Sequence, residues 1–249
     1  MKIQLLAFVF AMAIAPAGAL ADCKKPASDG VDWTGCTKKL LMLHSVNIKD
    51  AKLAGSNLTS TDLSGATLDG ANLDGADLTY TSLKGASLKG VSLVKTAGNR
   101  TVMAGADLTG AIMQAIELFR ADFTKANLTN ANLSRASLPR ADFTGASLES
   151  ANFVKSDVIR SEFAGANLTN ADMSYTILAR ASFKDATLSS ADWSNAYLFR
   201  TMLAGVDLAG VKGLTTQQVS IACGDADTKL PQGVEAPSPW PCQNSDDSD

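Results

Sequence analysis

The chain has 249 residues, 46% of them hydrophobic, and its 22 Lys and Arg nearly balance its 25 Asp and Glu, which leaves a net charge of −3. So small a charge is not typical of a nucleic-acid binder or of a strongly acidic mimic of nucleic acid, and we expect no nucleic-acid partner. His44 is the only histidine, which argues against histidine-based catalysis and against a zinc centre, so we expect no enzyme, no catalytic residues, no metal and no cofactor.

Residues 1–21 have the pattern of a signal peptide. Lys2 precedes an uncharged apolar run over residues 5–15, and the Ala-Leu-Ala that ends at residue 21 fits the small-x-small cleavage rule, with the cut before Asp22. The run is shorter than the roughly 20 residues that span a bilayer, and no later stretch is long enough, so we expect no transmembrane anchor after cleavage. A retained anchor and lipidation of Cys23 are the alternatives, and the intervening Asp22 disfavours lipidation. The sequence therefore predicts an exported protein, periplasmic or extracellular.

From residue 41 to residue 210 the sequence repeats every five residues, in 34 consecutive units such as Ala106-Asp107-Leu108-Thr109-Gly110. The third residue is Leu in 22 units and Phe in five, and the first is Ala in 20. Inward small, outward polar and inward large side chains have the period of a strand. Because five is odd, the chain must turn in every unit, and glycine, common at the fifth position, adopts a positive φ at least cost. A helix would spread these leucines over all its sides.

Two spacings of 20 residues give the number of units in each coil. Phenylalanine recurs at the third position and arginine at the fifth, so four pentapeptides complete one coil and the coil has four sides. The 34 units make about eight to nine coils, a rod of roughly 40 Å at the spacing of adjacent strands. The predicted core ladder is Phe123, Phe143, Phe163 and Phe183, and the arginines are Arg100, Arg120, Arg140, Arg160, Arg180 and Arg200.

In its Ala-(Asp/Asn)-Leu-x-x units the chain resembles the pentapeptide repeat family, and its flanks, with Trp33 and Trp240 near cysteines, are similar to those of secreted bacterial members. The resemblance implies a right-handed quadrilateral β-helix, within the all-β class. We expect a signal peptide (1–21), a disulfide-containing N-terminal cap (22–42), the β-helix (43–210), a C-terminal helix and disulfide-tied cap (211–242) and a disordered acidic tail (243–249). Two capped ends favour a monomer.

The four cysteines flank the repeat and are absent from it. An exported chain meets an oxidising compartment, and four cysteines allow three pairings. Pairing Cys23 with Cys36 and Cys223 with Cys242 is the one arrangement that links no ends held apart by a rigid rod. The spacing is not that of a Cys-x-x-Cys metal motif. We therefore predict one disulfide in each cap.

Two positions break the repeat pattern. Lys38 stands where leucine is expected, which predicts an irregular path between Cys36 and Leu43. Gly98 is the one third-position residue of the 34 units that cannot fill a core slot. There we expect a bulged loop around residues 97–99, in preference to a ligand-binding notch.

After Gly213 the pattern changes to that of a helix start. Thr215 is followed three residues later by Gln218, the spacing of a capping box. The helix is predicted to run to about Ala222, with Gly224 as its stop. Such a helix would cover the open end of the solenoid, which otherwise exposes apolar core and unpaired backbone.

The arginines are predicted to stack about 5 Å apart along one side of the rod. One interpretation is a surface ion-pair network with nearby acids such as Asp122, Asp142 and Glu162. The other is an interaction stripe for an anionic partner or an acidic tail, because the residues just before the arginines include Phe119, Ile159 and Phe199, which alternation turns outward. Pro139 and Ala179 occupy the same outward row. We predict that this side is covered by the C-terminal tail or by a partner.

The function indicated by the sequence is a noncatalytic exported scaffold or protein-interaction surface, with a protein partner that the residues do not identify. Some cytoplasmic members of the family resemble duplex DNA and protect or block topoisomerases, which gives the alternative. The export signal and the basic row disfavour it.

Overall fold

The computed structural model describes residues 21–242. The signal peptide and the acidic tail predicted at the two ends lie, apart from Ala21, outside the described residues. Within residues 21–242 the regular elements are two short strands, β1 (Ala97–Asn99) and β2 (Glu117–Phe119), and one helix, α1 (Thr216–Val219). Almost all of the remaining chain is held by single parallel bridges between successive coils.

Each coil contains 20 residues. The second residue of a unit bridges in parallel to the residue 20 positions further on, as in Asp107 to Asn127 and Asn127 to Ser147. This register continues from the bridge of Asp32 to Lys52 through that of Asp192 to Lys212. Four pentapeptides therefore form each coil, as the spacing of the phenylalanines and arginines predicts.

Third-position side chains fill the axis of the rod, and first-position residues pack beside them. The predicted ladder is confirmed: the rings of Phe123, Phe143 and Phe163 stack with centroids 4.9 Å apart, as do Phe163 and Phe183, with interplanar angles of 6° or less. Phe153, on the neighbouring side, meets Phe143 edge to face at 5.9 Å. One stacked ring per coil fixes the phenylalanines on the same side of the tube.

Buried hydroxyls complete the core where the first position is not alanine. Thr81 Oγ1 donates to the carbonyl of Leu58 at 2.7 Å, and Ser156 Oγ donates to that of Leu133 at the same distance. Both acceptors belong to third-position residues of the coil before. A buried threonine or serine is accommodated because its hydroxyl finds a backbone partner across the coil.

Every side ends in a corner whose last residue has positive φ, for example +64° at Gly105 and +59° at Asn130. The second residue stabilises this corner when it is Asp or Asn, because its side-chain oxygen accepts the backbone N–H of the fourth residue. Asp192 accepts from Ser194 N at 2.8 Å, and Asn132 accepts from Ser134 N at 3.1 Å. The hydrogen bonds of Ser194, from its hydroxyl and its amide, lower the pKa of Asp192 below its ordinary value.

The N-terminal end is closed by Trp33 and a disulfide. Cys23 and Cys36 are bonded as predicted, and the buried Trp33 indole donates to the carbonyl of Lys25 at 3.1 Å. The ammonium of Lys38 lies 3.8 Å from the centre of the Trp33 ring and donates to the carbonyl of Cys23 at 2.7 Å. Burial lowers the pKa of Lys38. The amphipathic lysine thus replaces a core leucine at the mouth of the tube.

The irregular path expected between Cys36 and Leu43 is not found. Thr37 bridges to Asn57 and Met42 bridges to Asp62, so the 20-residue register passes through Lys38 without a break. The four-sided path begins at Val31, inside the segment predicted as a cap. The expectation was wrong because it treated the third position of the first coil as enclosed, whereas no coil lies beyond it.

The C-terminal end is closed by α1. Thr215 caps the helix through the capping box with Gln218, as predicted, but the helix ends at Val219 and is shorter than the expected run to Ala222. The side-chain amide of Gln218 donates to the carbonyls of Trp193 and Ala196, at 2.9 and 3.0 Å. The predicted disulfide between Cys223 and Cys242 is present and ties the last described residues to the end coil.

The bulged loop expected around Gly98 is also not found. Ala97, Gly98 and Asn99 pair in register with Glu117, Leu118 and Phe119 as β1 and β2. A Cβ added to Gly98 would lie 2.9 Å from Leu118 Cδ2 and closer still to Thr101 Oγ1. Neighbouring side chains therefore take up the missing core volume, and the backbone keeps its course.

Burial of the third position makes a direct test of the inside–outside assignment. Leu148 is fully buried, so Leu148→Asp should lower the free energy of unfolding by about 4 kcal/mol or more, since it buries a charge without a partner. Asn127→Ser should change it by less than about 1 kcal/mol, because serine occupies the same half-buried position in other units. Comparable thermal melts for the two variants would contradict the assignment.

The corner carboxylates predict an acid limb to the stability. The Ser64 hydroxyl and amide lower the pKa of Asp62, as Ser194 lowers that of Asp192. A lowered folded-state pKa means that the stabilisation is complete above the ordinary pKa near 4 and is lost as the pH falls through the folded pKa. Replacing both with Asn should therefore leave stability at pH 7 nearly unchanged and reduce its loss between about pH 4 and pH 2, measured by urea denaturation. An unchanged pH profile would show that these bonds do not contribute.

Candidate interaction face

One side of the rod carries the arginine row. Six successive coils place arginine at the fifth position of the same side, with φ between +54° and +59°. The coils lie about 4.8 Å apart, so the row extends roughly 24 Å along the axis. We call this side the arginine face; it comprises residues 96–100, 116–120, 136–140, 156–160, 176–180 and 196–200.

Arginine is a costly choice at these corners. A left-handed backbone costs a residue with a Cβ about 1 kcal/mol, a cost that glycine avoids. The next corner of the same coils does use glycine, at Gly105, Gly145, Gly165 and Gly205. Backbone conformation therefore does not explain why the arginine face has a long cationic side chain at six corners in succession.

Ion pairing does not explain the row either, and that interpretation is wrong for the described residues. Within residues 21–242 the ion pairs are Lys89 with Asp107, at 3.3 Å, and Lys229 with Asp207, at 2.9 Å. Asp122 and Asp142, the expected partners, instead accept the backbone N–H groups of the threonines two residues ahead. No carboxylate among residues 21–242 lies within 4 Å of Arg100, Arg120, Arg140, Arg160 or Arg180.

Aromatic rings stand beside the arginines. The Arg120 guanidinium lies 5.1 Å from the centre of the Phe119 ring, and that of Arg200 lies 5.9 Å from the Phe199 ring. Such contacts hold a guanidinium over a ring face while leaving its N–H donors available. On the adjoining corner Lys155 approaches Tyr175 in the same way, at 5.9 Å.

The fourth-position row of this face is apolar, with bulky ends and a lower middle. Phe119 and Phe199 are 39% and 41% exposed, whereas Pro139 and Ile159 are half-buried. Ala179, expected to point outward with them, is buried at 8% exposure. Its small side chain lies next to a coil whose outward side carries larger rings, and this removes it from solvent.

Two second-position residues also contribute apolar surface that the sequence analysis did not single out. Ile177 and Tyr197 are exposed, and the Tyr197 ring stacks on Phe199 with centroids 6.3 Å apart. The signal was available, because the second position is otherwise Asp, Asn, Ser or Thr in most units. Segment 211–242 leaves these side chains exposed, so the predicted covering is not provided by the described part of the C-terminal segment.

A shallow pocket of about 380 Å³ lies on the arginine face above β1 and β2. Its floor is Gly98 and Leu118, and its sides are outward residues of the second and fourth positions. The sides are formed by Thr79, Ala97, Asn99, Glu117, Phe119, Ser137 and Pro139. Sequence reasoning placed a structural irregularity at this point, whereas the structure has a regular backbone beneath a surface depression.

Residues 21–242 contain no group of three or more His, Cys, Asp and Glu side chains arranged to hold a metal ion. The four cysteines are all in disulfides, and His44 lies in the first coil, on a different side of the rod from the arginine face. In the same part of the chain no helix has the length and apolar character needed to cross a membrane.

Comparison with known proteins identifies the repeat. The family described as pentapeptide repeats matches in eight copies, with matched segments 43–79, 56–93, 76–114, 116–153, 146–185 and 176–212. These segments span more than half of the chain, which therefore belongs to the pentapeptide repeat family. No curated protein matches the chain.

Solved structures of other pentapeptide repeat proteins are similar to the chain. HetL, involved in heterocyst differentiation regulation in the cyanobacterium Nostoc sp. strain PCC 7120, is 27% identical, with 72% of this chain and 92% of that one covered and a TM-score of 0.41. A trypsin-treated form of QnrB1, a plasmid-mediated fluoroquinolone resistance protein, is 18% identical, covering 78% and 90%, with a TM-score of 0.32. A protein of the Arabidopsis thaliana thylakoid lumen is 24% identical, covering 56% and 69%, with a TM-score of 0.21.

The left-handed corners predict an unusual stability effect. Arg140→Gly should raise the free energy of unfolding by about 0.5–1 kcal/mol, because relief of the positive φ exceeds the added entropy of the unfolded chain. Arg140→Val should lower it by about 1 kcal/mol or more, since a β-branched residue tolerates this conformation worst. Denaturant unfolding of both variants, with Gly145→Arg as the reverse control, measures the effect. A destabilised Arg140→Gly would show that the arginine contributes to the fold.

Proposed function

We propose that the chain is an exported, noncatalytic solenoid that presents its arginine face to a protein partner. The observation that carries the proposal is the row of arginines at costly corners, five of them without a carboxylate partner among residues 21–242, beside exposed Phe119, Ile177, Tyr197 and Phe199. A basic row next to an apolar row is typical of a protein interface, where arginine and aromatic residues are enriched.

The rigid scaffold supports this proposal. Each arginine is fixed by its own coil, and the coil is held by bridges on both sides, so the charges keep their spacing when a partner binds. A preformed surface loses little conformational entropy on binding. The proposal takes the winding to be right-handed, as in the family, and takes the protein to be a monomer with no nucleic-acid partner and no membrane anchor after cleavage.

Export to the periplasm or the outside of the cell is part of the proposal. The two disulfides are compatible with an oxidising compartment. Mimicry of duplex DNA against a topoisomerase receives no support from the arginine face, because a surface that imitates DNA has to present a continuous negative charge.

The test is a crosslinking pull-down from periplasmic extract with two matched variants. In the first, Arg120, Arg140 and Arg160 are replaced by Gly. In the control, Lys95, Lys125 and Arg135 are replaced by Gly; these also occupy fifth positions with positive φ, but on other sides. Both variants lose three positive charges and relieve three strained corners. Loss of the captured protein with the first variant alone is expected, and equal capture by both would contradict the proposal.

A further inference from the structure

The pocket on the arginine face contains a hydrogen-bond acceptor that nothing in the described chain satisfies. Asn99 Oδ1 is buried and has no partner among residues 21–242. Asn99 stands in the fourth position of its unit and forms part of the pocket wall. Burying an acceptor without a donor costs free energy, which a bound donor would recover. The side-chain amide turns readily about χ2, so the oxygen can face into the pocket.

The rest of the pocket is suited to a flat aromatic group. The Phe119 ring and Pro139 form one wall, and Ala97 and Gly98 remove bulk opposite it. Its volume of about 380 Å³ is near the lower end of the range for ligand pockets, about 300–1,000 Å³. A side-chain-sized ring fits such a site better than a large cofactor does.

The surroundings of the pocket are basic. Arg100 follows Asn99 and Arg120 follows Phe119, so two arginines stand at the corner beside the pocket, and the Arg120 guanidinium lies over the Phe119 ring. Glu117 is the one acidic residue in the wall, and it faces the pocket from the second-position row. A ligand that enters here therefore meets an apolar slot, one unsatisfied acceptor and flanking positive charge.

We propose that this pocket binds the indole of a tryptophan that lies in an acidic segment of the partner protein. The indole N–H donates to Asn99 Oδ1, the ring packs against Phe119 and Pro139, and neighbouring carboxylates bind Arg100 and Arg120. Indole is the side chain that joins a large aromatic surface to a donor without an acceptor. Tryptophan is also enriched among the residues that dominate interface affinity. The inference rests on the proposed function, since it names the anchor of the same face.

Indole and 1-methylindole are the probes, because they differ in the N–H that the inference requires. Titrating each into the ¹⁵N-labelled chain should shift the amide signals of Gly98, Asn99 and Phe119, with indole binding about three- to tenfold more tightly. Asn99→Leu should remove the difference between the probes. Thr144→Leu, a change of polar to apolar at the fourth position of another side, is the control and should keep it.

Equal binding of the two probes, or indole shifts that persist unchanged in Asn99→Leu, would overturn the inference. The acidic context is tested with the peptides Ac-Glu-Glu-Trp-Glu-Glu-NH₂ and Ac-Lys-Lys-Trp-Lys-Lys-NH₂; the first should bind more tightly, and a preference for the second would also overturn it.

The two proposals fail separately. If the three-arginine variant loses the captured protein while indole does not bind at β1 and β2, the proposed function stands and the pocket inference is wrong. If indole binds as expected while the captured protein is indifferent to the arginines, the proposed function is wrong.

Discussion

The whole rod depends on one backbone constraint, which is that every fifth residue turns the chain through a left-handed corner. The corner brings the next three residues back to the strand-like conformation in which small and large side chains face the axis, as Ala106 and Leu108 do. Four corners close the coil and place each second-position residue beside its counterpart 20 positions later. The leucine core and the phenylalanine ladder follow from this closure.

The same constraint separates fold from function on the surface. The coil fixes what stands inside and what is cheap at a corner, and it leaves the outward second and fourth positions free. Residues that disregard the local preference are therefore informative. Six arginines where glycine costs least, and Ile177 and Tyr197 where most units have a polar residue, lie on a single side. Selection for stability alone would not concentrate these departures there.

Much of the architecture was predictable because the repeat reports it many times. The 20-residue spacing gave the four sides, the stacked phenylalanines and the disulfide pairing, and the spacing of Thr215 and Gln218 gave the start of α1. The errors fall where a residue depends on a neighbour in another coil. Lys38 was misjudged because its ammonium leaves through an open end, and Gly98 because Leu118 and Thr101 fill its space. The arginines were misjudged because backbone amides had already taken the carboxylates.

The way the last full coil is closed has a consequence for assembly. A stack of parallel rungs has no intrinsic length, and its terminal carbonyls would template a further rung from a second molecule. Gln218 occupies two of these carbonyls, at Trp193 and Ala196, with one side-chain amide, and the turn of α1 lengthens the pairing interval from 20 residues to the 21 that separate Met202 from Cys223. A mismatched last rung offers no register for an incoming copy. The helix thus acts as a terminator of polymer growth, which lets an exported rod remain a discrete particle at high concentration.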